Sequence, residues 1–206
     1  MHRHHKNYTQ QGTPLAEAQK VLIMTHGRGD TAEGILGLAQ YLKVKDFALL
    51  GLQATANTWY PYSFMAPVAE NEPGLSSGLE VLKQIVEEVL AAGIKAENIY
   101  FLGFSQGACL TSEFLARNAH RYGGAFILSG GLIGPEIDRS NYQGDFGGMP
   151  ILIGCSDVDH HIPLQRVKAS TLVLQEMGAV LDERIYPNGP HSVVPDEIEA
   201  INQILG

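Results

Sequence analysis

Along the chain, short apolar runs alternate with longer stretches whose apolar residues recur every three or four positions. The runs lie at 21–25 (VLIMT), 47–52 (FALLGL), 99–102 (IYFL), 125–128 (AFIL) and 151–154 (ILIG), with a more polar one at 180–186 (VLDERIY). Each has strand length and stops near a glycine or a polar turn, as buried strands do. The periodic stretches predict helices over 31–42, 79–92, 108–117, 163–177 and from Pro195 onward. The stripes are Ile35, Leu38, Ala39 and Leu42 in the first and Leu79, Leu82, Ile85, Val86, Val89 and Leu90 in the second. Ile198, Ile201, Ile204 and Leu205 face inward in the last. Asp30 with Glu33 and Ser77 with Glu80 have the spacing of capping boxes, and Gly93 and Gly178 stand where helices stop. Gly34 and Gly37 weaken the first helix by about 1 kcal/mol each relative to alanine, and the compensation expected is close packing against the sheet. Residues 68–78 and 132–148 read as loop, the second over the sheet edge at a pocket mouth, and residues 1–14 as a loose tail or edge segment. Strand–helix alternation from 21 to the end predicts a single α/β domain over 1–206: a mostly parallel sheet with helices on both faces.

The composition narrows the class of partner. The 206 residues are 45% hydrophobic and 17% charged, with a formal net charge of −8. Such a surface repels nucleic acid and anionic lipid. No apolar run approaches the roughly 20 residues needed to cross a bilayer, and the polar first residues have no signal-peptide core. Cys109 and Cys155 form no C-x-x-C and read as buried, reduced thiols, which points to a reducing, cytoplasmic setting. His2, His4 and His5 are spaced closely enough to share a metal, yet no cysteine or carboxylate nearby completes a set, so they read as a polar tail and no metal is expected.

The candidate chemistry lies just beyond strand ends, where parallel sheets bind ligands. Gly103-Phe104-Ser105-Gln106-Gly107 fits G-x-S-x-G between a strand and a helix, a turn that projects the serine above the sheet. The N-terminus of the following helix then offers unpaired N–H groups where an oxyanion would form. The turn after the first predicted strand, His26-Gly27-Arg28-Gly29-Asp30, is where hydrolases of this layout place a second donor, here the Arg28 N–H. It fits no phosphate-loop pattern. Serine needs a base, and His191, in a Pro/Gly turn between the last strand and the last helix, is the best placed. The histidine needs a carboxylate, for which Asp157 and Asp159 compete. Trp59, Tyr60 and Phe64 in the aromatic stretch 57–64 serve equally as the wall of an apolar pocket or as a satellite core under a loop.

Three blocks resemble the phospholipase/carboxylesterase family, which includes acyl-protein thioesterases and small bacterial carboxylesterases. They are Thr25-His26-Gly27-Arg28-Gly29-Asp30-Thr31, Gly103-Phe104-Ser105-Gln106-Gly107-Ala108 and Asp157-Val158-Asp159-His160-His161-Ile162-Pro163-Leu164. The turn ending at His191 matches more loosely. The resemblance implies an α/β-hydrolase fold without a large cap, and cleavage of carboxylic esters or thioesters through an acyl-enzyme with no cofactor. It implies Asp159 as the acid beside Ser105 and His191, and the backbone N–H groups of Arg28 and Gln106 as the oxyanion hole. The expected partner is a small-molecule ester or thioester, and enzymes of this type often form homodimers. Two positions depart from the family pattern. Arg28 stands where an apolar residue is usual, and its charge would favour acidic substrates. His160 and His161 replace a proline and a variable residue; with Asp157 they could recruit a metal, though two polar rim residues are the expectation. A non-catalytic binding protein on the same scaffold is the competing class. A dienelactone-hydrolase-like enzyme would have cysteine where Ser105 stands.

Overall fold

Strands covered by helices on both faces need no polar alternation, and the apolar runs obey that rule. The computed structural model describes residues 3–206, and among them seven strands form one sheet: β1 (Tyr8–Gly12), β2 (Lys20–Thr25), β3 (Phe47–Leu52), β4 (Ile99–Phe104), β5 (Gly124–Leu128), β6 (Pro150–Ser156) and β7 (Val180–Tyr186). Their order is β1-β3-β2-β4-β5-β6-β7, with β1 antiparallel to β3 and every other pair parallel. Neighbouring residues on a strand feed opposite cores. Ile23, Leu50, Phe101 and Ile127 pack beneath α2 (Gly74–Ala91), α3 (Gln106–Arg117) and α4 (Leu164–Glu176), while the first helix, α1 (Ala32–Leu36), covers the other face. Leu22, Leu102, Phe126 and Leu152 pack with α1 and with α5 (Pro195–Leu205). This is the α/β-hydrolase fold. No helix among the described residues is long and apolar enough to cross a membrane.

The helix ends differ from expectation. α1 is one turn and a half, continued by a 3₁₀ segment over Gly37–Tyr41. Its cap is Thr31, in extended conformation with its hydroxyl accepting from Gly34 N–H, and not Asp30. Glu33 instead accepts from the Thr9 hydroxyl on β1. The close approach of α1 to the sheet is made by Gly51 of β3, where a Cβ would come within 2.6 Å of the Ala32 carbonyl oxygen; Gly34 faces the Asp30 carboxylate and Gly37 faces open space. α2 begins well before residue 79. Ser77 lies inside it, its hydroxyl donating back to Pro73 O, and Leu90 is exposed. The small Gly78 lets this first turn pass close to Leu110 and Trp59, so packing overrides a poor local propensity.

Of the two readings of the opening residues, the edge segment holds from Tyr8 to Gly12. Tyr8–Gly12 closes the sheet edge beside β3, and His4 is buried. Its Nε2 lies 2.8 Å from Trp59 O, and its Nδ1 accepts from Thr55 N–H. His2 lies outside the described residues.

Candidate active site

The parallel strands end nearly level, with Thr25 beside Leu52 and Gly103, Phe104 beside Leu128, and Ser156 beside Tyr186. The turns that follow β2, β4, β6 and β7 therefore share one edge. Ser105 opens α3 at φ 53°, ψ −118°, a conformation that costs a non-glycine residue energy and is held by its surroundings. Its N–H donates to Leu128 O at 2.9 Å, and its carbonyl accepts from Cys109 N–H at 3.0 Å. The flanking glycines are steric necessities. A Cβ at Gly107 would land on the Thr25 and His26 carbonyl oxygens, and one at Gly103 would lie 2.6 Å from Ala108 Cα.

The turn after β7 delivers His191, and its two ends are tied down. Asn188 N–H donates to Asp157 Oδ1 at 2.7 Å, and Val194 N–H donates to Glu197 Oε2 at 2.9 Å. His191 Nε2 lies 2.8 Å from Ser105 Oγ, and its Nδ1 lies 2.6 Å from Asp159 Oδ2. Donation from Nδ1 leaves Nε2 free to accept the serine hydroxyl. Asp159 Oδ1 takes the N–H groups of His161 and Ile162 at 2.8 and 3.1 Å. Burial opposes the charge on Asp159, but the bonds from His191, His161 and Ile162 outweigh it and hold the carboxyl below its usual range. The three residues expected to act together are thus one hydrogen-bonded chain. Asp157, the competing acid, touches the histidine's turn and not its ring.

Among the described residues the backbone N–H groups of Arg28 and Gln106 have no acceptor, so both are free to meet an oxygen at the serine. The Arg28 guanidinium is already engaged. It is exposed at the cleft and donates to Thr58 Oγ1, Pro61 O and Tyr62 O, neutral acceptors that fix its position without cancelling its charge. The Gln106 amide takes Trp59 N–H at 2.8 Å and donates to Tyr60 O at 2.7 Å.

A cleft of about 740 Å³ opens at Ser105, lined among others by Tyr60, Phe64, Phe104, Cys109 and Ile162. Trp59, expected in its wall, lies behind it: fully buried, it packs against the rings of His4 and His26 and donates to His26 O. The largest apolar ring gains most from complete burial, and its N–H finds a carbonyl there. His160 and His161 line the rim, the latter with its ring 5.1 Å from that of His191. Among the described residues no three His, Cys, Asp or Glu side chains gather around a possible metal. Residues 132–148 do not line the cleft. They are fastened elsewhere, by Glu113 to Ile133 N–H and the Tyr142 hydroxyl, and by Arg166 to the carbonyls of Leu132, Gly134 and Pro135.

Sequence reasoning gave His26 no role of its own and read Cys109 as a buried thiol without placing it at the cleft. His26 is buried with Nδ1 donating to Gly27 O and Nε2 accepting from Ala54 N–H; burial lowers its pKa, so the ring is a neutral brace for the Arg28 turn. Cys109 follows Ser105 by one helical turn, a spacing that could have announced its place in the cleft. Burial pushes its thiol up to about 12, so it contributes surface and not a nucleophile.

Residues 12–206 match the family model described as Phospholipase/Carboxylesterase. The chain is 29% identical over 212 residues to Acyl-protein thioesterase 1 of Saccharomyces cerevisiae, covering 93% of each. The crystal structure of a phospholipase/carboxylesterase from Dyadobacter fermentans superposes with a TM-score of 0.98 at 46% identity, over 100% of this chain and 99% of that one. A Bacillus cereus carboxylesterase superposes at 0.75 with 18% identity, covering 95% of this chain and 91% of its own, and so shares the fold.

Proposed function

The chain belongs to the phospholipase/carboxylesterase family and is an ester hydrolase, and from that premise we propose that Ser105, His191 and Asp159 carry the reaction. The observation behind this reading is the unbroken chain from Ser105 Oγ through His191 to Asp159, with links of 2.8 and 2.6 Å. Ser105 Oγ attacks the acyl carbonyl carbon while His191 Nε2 takes its proton. The carbonyl oxygen becomes an oxyanion between the N–H groups of Arg28 and Gln106, each such donor worth on the order of 3 kcal/mol. Collapse breaks the bond to the leaving alcohol or thiol, which leaves with the proton from His191. Water then attacks the acyl-serine by the same steps, releasing the acid and restoring the serine.

The substrate is a small-molecule ester or thioester whose acyl or alcohol part lies along Tyr60, Phe64 and Ile162. The yeast relative, named for thioester cleavage, supports including thioesters. The test is hydrolysis of p-nitrophenyl esters of rising chain length, beside matched thioesters, by wild type and Ser105→Ala. Turnover that disappears in the variant is expected. Turnover that persists in a folded Ser105→Ala sample sinks the assignment.

A further inference from the structure

Arg28 and Gln106 sit on different turns, after β2 and β4, yet an oxyanion hole requires their N–H groups to be set to within a fraction of an ångström of each other. On the Arg28 side Gly27 and Gly29 flank the donor and Gly29 adopts φ +81°, so local backbone preference does little to fix it. Besides the His26 brace on Gly27 O, a tether from outside the turn holds this donor, and the same loop supplies it to both residues. Gly29 N–H donates to Asn57 O at 2.7 Å, and the Arg28 guanidinium donates to Thr58 Oγ1, Pro61 O and Tyr62 O at 2.9, 2.9 and 2.7 Å. The Gln106 amide, almost fully buried, grips residues 58–60 from the other side. Thr58 lies between the two: its hydroxyl accepts from Arg28, and its one proton has Gln106 Oε1 and Tyr60 O, itself held by the Gln106 amide, each at 3.2 Å.

We propose that Thr58, with the side chains of Arg28 and Gln106, positions the two backbone donors, so that the oxyanion hole and the Thr58–Tyr62 wall of the cleft form one unit. Three side chains are thereby positioning residues for the reaction, and the arginine in place of an apolar residue has a purpose other than binding an acidic substrate. The inference rests on the oxyanion hole proposed above.

Thr58→Val tests it, because it removes the shared hydroxyl at nearly constant volume and leaves both donor residues in place. On p-nitrophenyl acetate, kcat should fall about ten- to hundredfold with KM little changed. Affinity for an alkyl trifluoromethyl ketone, which forms an oxyanion on the serine, should fall by a similar factor. Thr58→Ser, which keeps the hydroxyl, should restore both. If Thr58→Val instead raises KM for long acyl chains and leaves acetate turnover and ketone affinity intact, the loop is only a pocket wall and the proposal is wrong. Arg28→Met, at an exposed site, gives the same readouts should Thr58→Val not fold. Stoichiometric labelling of wild-type Ser105 by a fluorophosphonate separates the two levels. Absence of labelling overturns the serine mechanism itself, whereas labelling with unaltered Thr58→Val kinetics overturns only the positioning role.

Discussion

Asp157 and Asp159 differ in what their oxygens receive. Asp159 takes the His191 ring and two backbone N–H groups, whereas Asp157 takes one N–H, that of Asn188, on the turn carrying the histidine. Asp159→Asn would present an amide to Nδ1 and favour the wrong tautomer, so kcat/KM should fall on the order of 10⁴-fold. Asp157→Asn keeps an oxygen for Asn188 and should cost about tenfold or less. Steady-state kinetics on one ester decides the matter, and the reverse ranking would refute the assignment. The lowered pKa of Asp159 also has a sign: its contribution to stability is present above the ordinary aspartate value of about 3.9 and is lost as pH falls through the folded value. The residue scale is also where sequence reading was sharpest and where it failed. G-x-S-x-G is legible because hard contacts demand both glycines. The choice between the aspartates is not, because two carboxylates on one loop differ only in direction. For the same reason an aromatic cluster does not say which ring faces the cleft: Tyr60 does and Trp59 does not.

At the scale of elements, strands were legible because burial on both faces writes itself as an apolar run, so β3 matches its expected bounds; β7 matches too, though it is partly exposed and polar, because Gly178 and Pro187 bracket it. Helix starts were not, since they depend on what the first turn packs against. α2 starts early against Trp59 and Leu110, and α1 takes its cap from Thr31. α5 carries a related hidden feature. Glu197, in its first turn, is buried with one oxygen on Val194 N–H and the other in the space left by Gly154, where no Cβ would fit. Burial pushes its carboxyl up to about 7, against the effect of the Val194 bond. The folded state therefore holds this proton where the unfolded state has lost it, and the associated stability declines as pH rises from the ordinary glutamate value through about 7. Glu197→Gln keeps an acceptor for Val194 and removes the charge. It should raise Tm at pH 8 on the order of 5 °C relative to wild type, and much less at pH 5. Thermal melts at the two pH values are the check; an equal change at both would mean that the glutamate is not buried as a charge.

Across the whole molecule, the N-terminal segment reaches from one edge of the sheet to the back of the cleft. β1 pairs with β3, Lys6 and Tyr8 bond Glu88 on α2, and His4 bridges Trp59 O and Thr55 N–H while its own N–H donates to Ser77 Oγ. The partners of Lys6, Tyr8 and His4 in these bonds lie more than fifty residues away in the chain, which is why a polar, histidine-rich opening leaves both a tail and an edge segment open until the fold is seen. Trp59 is also the residue whose N–H binds Gln106 Oε1. A line of contacts thus runs from His4 through Trp59 to the turn that starts α3. His4→Ala would leave Trp59 O and Thr55 N–H to find other partners in a dry region, at about 1–3 kcal/mol for each group left unsatisfied. Tm should fall on the order of 5 °C, and kcat should fall with it well below the melting range, because the loop that braces Gln106 loses its support from behind. His4→Gln, which can donate and accept in place of the ring, should recover part of both losses. A variant that melts earlier yet turns over ester at the wild-type rate would confine the segment to holding the sheet edge and cut the link between that edge and the Ser105 turn.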